Sequence, residues 1–486
     1  MPQAIDYRAI LPELVLAGTV LSVVVVDAFL RPPRRWLAMP LSLAGVLGAL
    51  AAALSLVGEE RTTFGGAFVV DDFALLFKVF FLVVAVAVLA LSLRYMREGR
   101  YHQGEYYFLL LTSFLGCLLM PSSRDLLMLF LSLELVSAPA FLIAAFRKTD
   151  VRSTEAGLKF FLIGVLSTAV MLYGMSLVYG LTGATGLRDI AARLAELPAG
   201  QGNLVLAAIL LVVAGFAFKV SAVPFQFWAP DTYEGAPVPV AAFLAVASQA
   251  AGFAGLLLLM FQAFAGQADA WAPAFAALSV ATMTVGNLIA LQQRQAIRLL
   301  AYSGIAQSGY ILLPFALAGA GPATDRAAFA ATVTYILIYA VMNLGAYAVC
   351  VAVARERPGL LFRDFAGVVR RAPLLAVGMT LFMVSLAGVP PTGGFWAKFF
   401  VFTAAIERGG IGVWLAAVMV VNSVISLYYY LAIPREMVFA EGEERPLAAP
   451  ALVRGVVALA AVAIVALFVF PDLLARAPQG ATLVGP

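Results

Sequence analysis

Residues 215–240 have the sequence GFAFKVSAVPFQFWAPDTYEGAPVPV, in which an apolar helix that carries Lys219 is interrupted by Pro224. A charged lysine in the middle of a bilayer is costly, so such a residue is a functional candidate that faces a partner or a water-filled cavity. A proline kinks a helix, and backbone groups freed at membrane depth persist only where protein or water satisfies them. This stretch therefore predicts a broken helix around a buried cation.

The composition places the chain in a membrane. Of its 486 residues, 63% are hydrophobic and 12% are charged, and the mean hydropathy is +0.98. These values are typical of polytopic membrane proteins and exclude the soluble classes. The net charge of +4 is no sign of nucleic-acid binding. Cys117 and Cys350 lie in apolar runs without metal-binding spacing, so we expect no disulfide, iron–sulfur or zinc site.

Apolar runs of about 20 residues predict about fourteen membrane spans. They lie near residues 10–30, 37–57, 72–93, 106–121, 125–146, 156–180, 203–224, 238–264, 272–291, 299–320, 328–354, 373–404, 411–433 and 450–470. The loops after odd-numbered spans carry most of the arginines, which predicts that these loops lie inside and that both termini lie outside. The loop after span seven is an exception, because it carries Asp231 and Glu234 and no basic residue.

A short internal repeat links two of these spans. The segment VPFQFWA, which starts at Val223 in span seven, resembles VPPTGGFWA, which starts at Val389 in span twelve. The copies are five spans apart and enter the membrane from opposite sides, which is typical of inverted repeats with broken helices. We expect an all-α polytopic membrane protein with broken helices 7 and 12. Helices 1–3 fall in residues 1–105, two inverted five-helix repeats in residues 106–264 and 272–433, and the last helix in residues 450–470.

The lysines are concentrated in the predicted membrane interior. Only five of the 31 basic residues are lysines, and four of these, Lys78, Lys159, Lys219 and Lys398, fall inside spans. Lysine loses its proton when it is desolvated, whereas arginine effectively does not, so this distribution indicates proton handling. The only histidine, His102, lies in a predicted loop. An interior relay therefore has to use glutamate, lysine, water and hydroxyl groups such as those of Ser221, Tyr233, Ser303, Tyr302 and Tyr310.

Glu134 is the predicted acidic partner of these lysines. It lies in the middle of an apolar span, in the sequence LFLSLELVSAP. A carboxylate there must be protonated, paired or hydrated. Lys219 is its natural counter-ion across a helix pair. The alternative is a structural glutamate that is hydrogen-bonded to Ser132 or Ser137.

The other interior lysines have different interpretations. Lys159 lies one turn after Glu155, so it is either part of a relay or half of a helical ion pair. Lys398 directly follows the second break, which favours a functional role. Lys78 lies close to Asp71, and we expect it to extend to the membrane interface.

Five motifs together resemble a known family, the antiporter-like membrane subunits of respiratory complex I, which are related to multisubunit sodium/proton antiporters. The motifs are LELVSAP, EAGLKFFLIG, KVSAVPFQFWAPDTYEGAP, RQAIRLLAYSGIAQSGY and LAGVPPTGGFWAKF. The resemblance implies a proton-translocating subunit of an NADH:quinone oxidoreductase in a bacterial inner membrane. It implies that Glu134 and Lys219 form the proton-input pair, that Lys159 influences this pair, and that Lys398 ends the half-channel to the outside.

The resemblance also implies what this chain lacks and what surrounds it. It assigns NADH, FMN, the iron–sulfur clusters and quinone to partner subunits and no cofactor to this chain. The expected partners are an M-type antiporter-like subunit, small membrane subunits and the bilayer. Lys398 disfavours the M-type, which carries glutamate there, and the lack of a long C-terminal lateral helix disfavours the L-type.

The sequence departs from the family pattern at two positions. Gln249 stands where many relatives carry a central lysine or histidine, and Gln307 stands where some carry histidine. Because glutamine does not titrate, the central link either passes through water held by Gln249 and its neighbours or is weakened. Two alternatives to the pumping subunit therefore stay open, a subunit of a multisubunit sodium/proton antiporter and a non-conducting structural subunit.

Overall fold

The computed structural model describes residues 5–29, 36–99, 101, 103–442, 445–471, 473 and 483–484, and most of them are α-helical. His102 lies outside the described residues. The first ten helices are α1 (Leu11–Phe29), α2 (Ala38–Leu54), α3 (Asp72–Glu98), α4 (Gln103–Leu119), α5 (Leu126–Ala144), α6 (Val151–Thr182), α7 (Leu187–Ala195), α8 (Gly202–Lys219), α9 (Trp228–Gly235) and α10 (Val238–Phe243).

The second half of the chain is also helical. Its helices are α11 (Gln249–Leu258), α12 (Ala268–Ala290), α13 (Ala296–Leu312), α14 (Pro322–Ala354), α15 (Val368–Arg371), α16 (Pro373–Ala387), α17 (Gly393–Arg408), α18 (Ile411–Tyr430), α19 (Ala432–Phe439) and α20 (Ala451–Val469). Within the described part of the chain, twelve helical segments are long and apolar enough to cross a membrane, and α2 and α16 are shorter apolar helices. The predicted class, an all-α polytopic membrane protein, is confirmed. The exact count of fourteen spans and the inverted repeats stay predictions.

A small β-hairpin interrupts the otherwise helical chain, and the sequence analysis did not predict it. Strands β1 (Arg61–Thr63) and β2 (Phe68–Val70) pair antiparallel between α2 and α3. The turn between them contains Gly65 and Gly66, both with positive φ, a conformation that glycine adopts without steric cost.

The centre of the molecule is formed by α10, α11, α13 and α14. Every residue from Val238 to Phe261 is buried, and α13 and α14 are nearly as enclosed. Around this centre α6 packs on α8, α12 packs on α13, and α14 packs on α17 and α20. Polar side chains on the central helices therefore face other protein groups, and each needs a hydrogen-bond partner there.

Both predicted helix breaks are present. The first separates α8 from α9 at residues 220–227, and the second separates α16 from α17 at residues 388–392. In the first break, Trp228 Nε1 donates to Phe218 O at 3.1 Å, and Val223 N donates to Thr282 Oγ1 at 3.0 Å. In the second break, Gly394 N donates to Ser385 Oγ at 3.0 Å. Side chains thus satisfy backbone groups that a continuous helix would have paired.

Candidate functional site

Lys219 is the last residue of α8, and its side chain is buried at the first break. Its Nζ donates to Ser137 Oγ on α5 at 2.9 Å. Gly252 on α11 makes room for the lysine stem, since a Cβ at Gly252 would lie 3.0 Å from Lys219 Cγ. A cation at a helix C-terminus also lies at the negative end of the helix dipole.

Glu134 lies on α5, three residues before Ser137, so the two side chains share one helix face. Its Oε1 accepts a hydrogen bond from Thr168 Oγ1 of α6 at 2.8 Å. The alternative partners Ser132 and Ser137 instead donate to backbone carbonyls of α5. No ion pair within 4.0 Å joins Glu134 and Lys219 among the described residues. Lys219 is hydrogen-bonded to Ser137, which lies one helical turn after Glu134 on α5. Glu134 itself is bound by Thr168.

Lys159 belongs to an ion-pair network at the helix ends near the first break. Its Nζ lies 2.6 Å from Glu155 Oε1 and 2.8 Å from Asp231 Oδ2. Arg298 of α13 pairs with the same Asp231 at 2.9 Å and with Glu234 at 2.8 Å. The network explains why an acidic loop follows span seven: its carboxylates pair with a lysine of α6 and an arginine of α13.

The network also sets the protonation state of Asp231. Partial burial raises the pKa of this carboxyl, but the hydrogen bonds from Lys159 and Arg298 outweigh burial and hold the pKa below its usual value. Asp231 is therefore an anion at neutral pH and a fixed point between α6 and α13.

Gln249 occupies the buried centre of the molecule. It directly follows a π-helical turn, Leu244–Ser248, a distortion that is frequent at functional sites. Its Nε2 lies 3.4 Å from Ser221 Oγ and 3.4 Å from Tyr233 Oη. Its Oε1 is buried and has no hydrogen-bond partner among the described residues. Such an oxygen is a natural position for a bound water.

Gln307 of α13 forms a second polar cluster. Its Nε2 donates to Leu386 O and to Tyr430 Oη, both at 2.9 Å, and its Oε1 accepts from Tyr335 Oη at 2.6 Å. Tyr430 Oη also lies 2.6 Å from Ser303 Oγ. All of these side chains are buried. The amide at this position is therefore fully paired, in contrast to the amide of Gln249.

Lys398 of α17 is buried at the second break. Its Nζ donates to Ala387 O, the last carbonyl of α16, at 2.8 Å, and lies 4.7 Å from the centroid of the Tyr310 ring. Gly388 follows Ala387 with φ +86°, and a Cβ there would lie 2.6 Å from Lys398 Cδ. The side chain of Lys398 therefore crosses Gly388, and any larger residue at position 388 would displace the lysine.

These groups lie in a buried row between the two breaks, in which neighbouring members are close but are not all joined by hydrogen bonds. Ser221, two residues after Lys219, contacts Gln249. A Cβ at Gly304 of α13 would lie 4.0 Å from Gln249 Nε2, which places this amide beside the helix that carries Gln307. Gln307 in turn binds Leu386 O, next to the carbonyl that holds Lys398. Titratable groups lie at the ends of the row, and neutral amides and hydroxyls lie in its middle.

Comparison with known proteins assigns the family. Residues 123–426 match the family described as NADH:quinone oxidoreductase/Mrp antiporter, TM. The chain is 45% identical over 442 residues to an NADH-quinone oxidoreductase subunit N 2 of Streptomyces griseus, covering 88% of this chain and 82% of the relative. It is 40% identical over 443 residues to a subunit N of Trichlorobacter lovleyi, covering 91% and 89%. The chain belongs to the NADH-quinone oxidoreductase subunit N family.

The fold of this subunit N family member also matches a solved structure. A chain of respiratory complex I from Thermus thermophilus superimposes with a TM-score of 0.81 at 31% identity, covering 97% of this chain and 100% of that chain. The resemblance to complex I membrane subunits, inferred from five motifs, is confirmed. Among the described residues of this family member, no cluster of His, Cys, Asp or Glu could hold a metal ion.

One expectation about the lysines is wrong. Lys78 does not extend to the interface; it is buried, and its Nζ lies 2.9 Å from Glu13 Oε1 of α1 and 4.7 Å from the centroid of the Phe68 ring. Asp71 instead pairs with Arg124. Because Glu13 lies on α1 and Lys78 on α3, the two come together only in the folded chain, and the sequence near Lys78 gave no sign of its partner.

Part of the row in this subunit N family member was not predicted. Tyr335 and Tyr430, which bind Gln307, lie outside any distinguishing motif. The aromatic residues lie far from Gln307 in the sequence, at separations of 28 and 123 residues. Only the packing of α13, α14 and α18 reveals them.

Proposed function

We propose that this chain translocates protons as a membrane subunit of NADH:quinone oxidoreductase, and that the buried row from Lys219 to Lys398 carries the protons. The observation that supports this proposal is the row itself: two buried ammonium groups at helix breaks, with the amides of Gln249 and Gln307 between them. Ionisable groups are costly in a membrane interior and mark ion pathways there. Unlike Lys78, which pairs with Glu13, neither of these lysines has a carboxylate within ion-pair distance among the described residues.

The input half of the pathway contains Glu134 and Lys219. The Lys219 ammonium donates to the neutral hydroxyl of Ser137, and the carboxylate of Glu134 lies one turn earlier on the same face of α5. A carboxylate close to an ammonium group favours the charged form of the lysine, whereas a neutral hydroxyl brings no opposite charge. Movement of Lys219 between the two partners therefore changes how firmly it holds its proton. A charge shift in a neighbouring subunit would drive that movement.

The ion-pair network around Lys159 connects this input to the second half of the chain. Asp231 binds Lys159 of α6 with one oxygen and Arg298 of α13 with the other. Helix α13 also carries Gln307. A change in the charge of Lys159 would therefore act, through Asp231, on groups in both halves of the chain. This coupling is the role we propose for Lys159.

The centre of the pathway is neutral in this chain. We place a water at the unpaired Oε1 of Gln249, where it would bridge toward α13 and α14. The hydroxyls of Ser221 and Tyr233 bind Gln249, and the hydroxyl of Tyr335 binds Gln307. Water between these two clusters would complete the path. A proton would cross this region along hydrogen bonds and would not rest on a side chain, until it reaches Lys398.

The organisation of the chain follows from the two breaks. Residues 106–264 and 272–433 would be two inverted five-helix repeats, each contributing one half-channel, flanked by residues 1–105 and 450–470. We place the protein in a bacterial inner membrane with both termini outside. Its partners would be an M-type antiporter-like subunit and small membrane subunits, while the chains that hold NADH, FMN, iron–sulfur clusters and quinone supply the redox energy.

The family match supports one alternative function, a subunit of a multisubunit sodium/proton antiporter, because the description of the matched family also names Mrp antiporters. In that case an ion gradient would drive the exchange, and quinone reduction would not. Sodium/proton exchange by the reconstituted protein in the absence of NADH would favour this alternative.

Replacement of Lys219 by alanine tests the proposal. We expect the Lys219→Ala complex to assemble and to lose most of its proton pumping in vesicles, together with the coupled part of quinone reduction. The control is Lys148→Ala, which removes an exposed lysine that pairs with Glu105 at the surface and should leave pumping unchanged. An assembled Lys219→Ala complex that pumps as well as the control would refute the pathway.

A further inference from the structure

A pocket of about 660 Å³ lies where three arginine-bearing segments, each following an odd-numbered predicted span, come together. Three segments meet there: the C-terminal end of α12, the loop before α15, and the junction of α18 with α19. Arg294, Arg363 and Arg435 line it, one from each segment, together with apolar and aromatic side chains that include Leu291 and Tyr428. No acidic residue is among the described residues that line it.

The three arginines are available for an anionic ligand. All three are exposed. Within the described part of the chain, Arg294 and Arg363 form no ion pair, and Arg435 makes only a long contact with Glu436 at 3.5 Å. Arg363 also borders a neighbouring pocket that Asp364 and Glu441 line, but neither carboxylate pairs with Arg363 within 4.0 Å among the described residues. The pocket itself therefore carries three cationic side chains and no carboxylate.

Backbone hydrogen bonds hold these arginines in place. Phe362 N donates to Arg294 O at 2.9 Å, and Gln295 and Leu361 form a β-bridge, so the two loops run side by side. Gly367 N donates to Glu436 O at 3.3 Å, which connects the second loop to α19. The positions of the three charges are therefore set by the fold.

An exposed apolar track leads from the pocket along the membrane-spanning part of α18. Tyr428, Val424 and Val421 are spaced by four and three residues, so they share one helix face, and they are 73%, 69% and 58% exposed. Leu288 of α12, which packs against α18, is also exposed beside Leu291. The charged pocket and the apolar track are continuous along the membrane normal.

We propose that this pocket binds the phosphate headgroup of an anionic phospholipid, whose acyl chains lie along the track on α18 and α12. Arginine guanidinium groups bind phosphate oxygens in a paired, planar geometry. Basic pockets between membrane helices are suited to anionic headgroups. The apolar track favours a lipid over free phosphate, because free phosphate has no group to place on Tyr428 and Val424.

The test measures lipid binding to the intact, delipidated complex by native mass spectrometry with added phosphatidylglycerol or phosphatidylcholine. The triple variant Arg294→Gln/Arg363→Gln/Arg435→Gln should bind phosphatidylglycerol about a hundredfold more weakly, at about fivefold per arginine. The control Arg370→Gln removes an exposed arginine outside the pocket and should change binding less than about twofold, on the same scale. The wild-type complex should prefer phosphatidylglycerol to phosphatidylcholine.

Three results would overturn the proposal. Equal binding of both lipids would exclude headgroup recognition, and full displacement of phosphatidylglycerol by an equal concentration of inorganic phosphate would indicate a free-phosphate site. Protection of the three arginines from a guanidine-specific reagent in the lipid-free complex would mean that a neighbouring protein chain covers the pocket. If the triple variant does not assemble, the wild-type complex is tested with a photoreactive phosphatidylglycerol. The proposal requires that this lipid label the α18 segment around Tyr428, and the absence of such labelling would contradict it.

Discussion

The substitution Gly388→Ala is expected to disable the proposed pathway although it replaces no charged residue. Gly388 has φ +86°, and a Cβ there would lie 2.6 Å from Lys398 Cδ. Ordinary contact begins at 3.4 Å, so the lysine side chain must move by the difference, 0.8 Å. Lys398 Nζ is held by Ala387 O at 2.8 Å and faces the Tyr310 ring at 4.7 Å. Both contacts would be disturbed by such a shift.

The expected size of the effect follows from that displacement. A misplacement of about 1 Å at a reacting group costs up to about a hundredfold in rate, so we expect pumping to fall by roughly ten- to a hundredfold. An alanine in the left-handed backbone conformation also lowers the free energy of unfolding by about 1–2 kcal/mol. Gly183→Ala is the control for that cost, because Gly183 ends α6 with φ +66° and has nothing within 4 Å of the added Cβ.

The assay compares both variants in vesicles. Proton uptake is followed with a pH-sensitive dye during quinone reduction, and assembly is measured on native gels. We expect Gly183→Ala to lose some stability and to pump normally, whereas Gly388→Ala assembles and pumps poorly. If the two variants pump at the same rate, Lys398 is not positioned by Gly388 for proton transfer, and the reasoning is wrong.

Three further variants test other parts of the structure. Gln249→Leu should assemble but pump roughly tenfold more slowly, because a leucine cannot hydrogen-bond to a bridging water and a lost hydrogen bond is worth about 1–2 kcal/mol, and Gln249→Asn should retain part of the activity. Glu13→Leu should lower the free energy of unfolding by about 3–5 kcal/mol because it leaves Lys78 buried without its partner, and Glu13→Leu/Lys78→Met should recover most of it, as measured by thermal unfolding of the purified complex. The pKa of Asp231 is lowered in the folded state, so its contribution to stability is present above its unfolded pKa of about 4 and is lost as the pH falls through the lower folded value. Arg298→Gln should move that loss to higher pH in an acid titration of stability, and an unchanged acid limb would contradict the ion-pair network.

The fold could be predicted largely from hydrophobic pattern and helix-breaking residues. Spans of apolar residues and the proline-containing segments at Pro224 and Val389 gave the helical class and the two breaks, because the membrane forces backbone groups to pair locally. The hairpin at residues 61–70 was missed, since each strand has three residues and therefore too short a pattern. The partner of Lys78 was missed for a different reason: Glu13 comes from another helix, and pairing across helices leaves no local periodicity.

The ends of the site could be predicted, and its middle only in part. Lys219 and Lys398 are ionisable residues in apolar spans, which is a strong signal in a single sequence. Gln249 was identified as a departure from a family pattern, and Ser221 and Tyr233 were among the candidate hydroxyls, but the sequence did not show that they contact Gln249. Hydroxyls and amides occur throughout membrane helices, so their arrangement in one row is a property of packing that becomes visible only with coordinates.

The two breaks hold their lysines in different ways, and we expect this difference to give the proposed pathway a direction. At the first break, the exposed carbonyls of α8 are occupied by other groups: Phe218 O accepts from Trp228, and Lys219 is left with the hydroxyl of Ser137. At the second break, the lysine itself caps the helix, because Lys398 Nζ binds the terminal carbonyl of α16. Helix C-terminal carbonyls carry negative partial charge and stabilise a cation. Lys219 can therefore change partners without losing a hydrogen bond to a helix C-terminus. Lys398 cannot, because its movement would break its bond to the last carbonyl of α16. A proton would then pass from a movable donor, Lys219, to a fixed acceptor, Lys398.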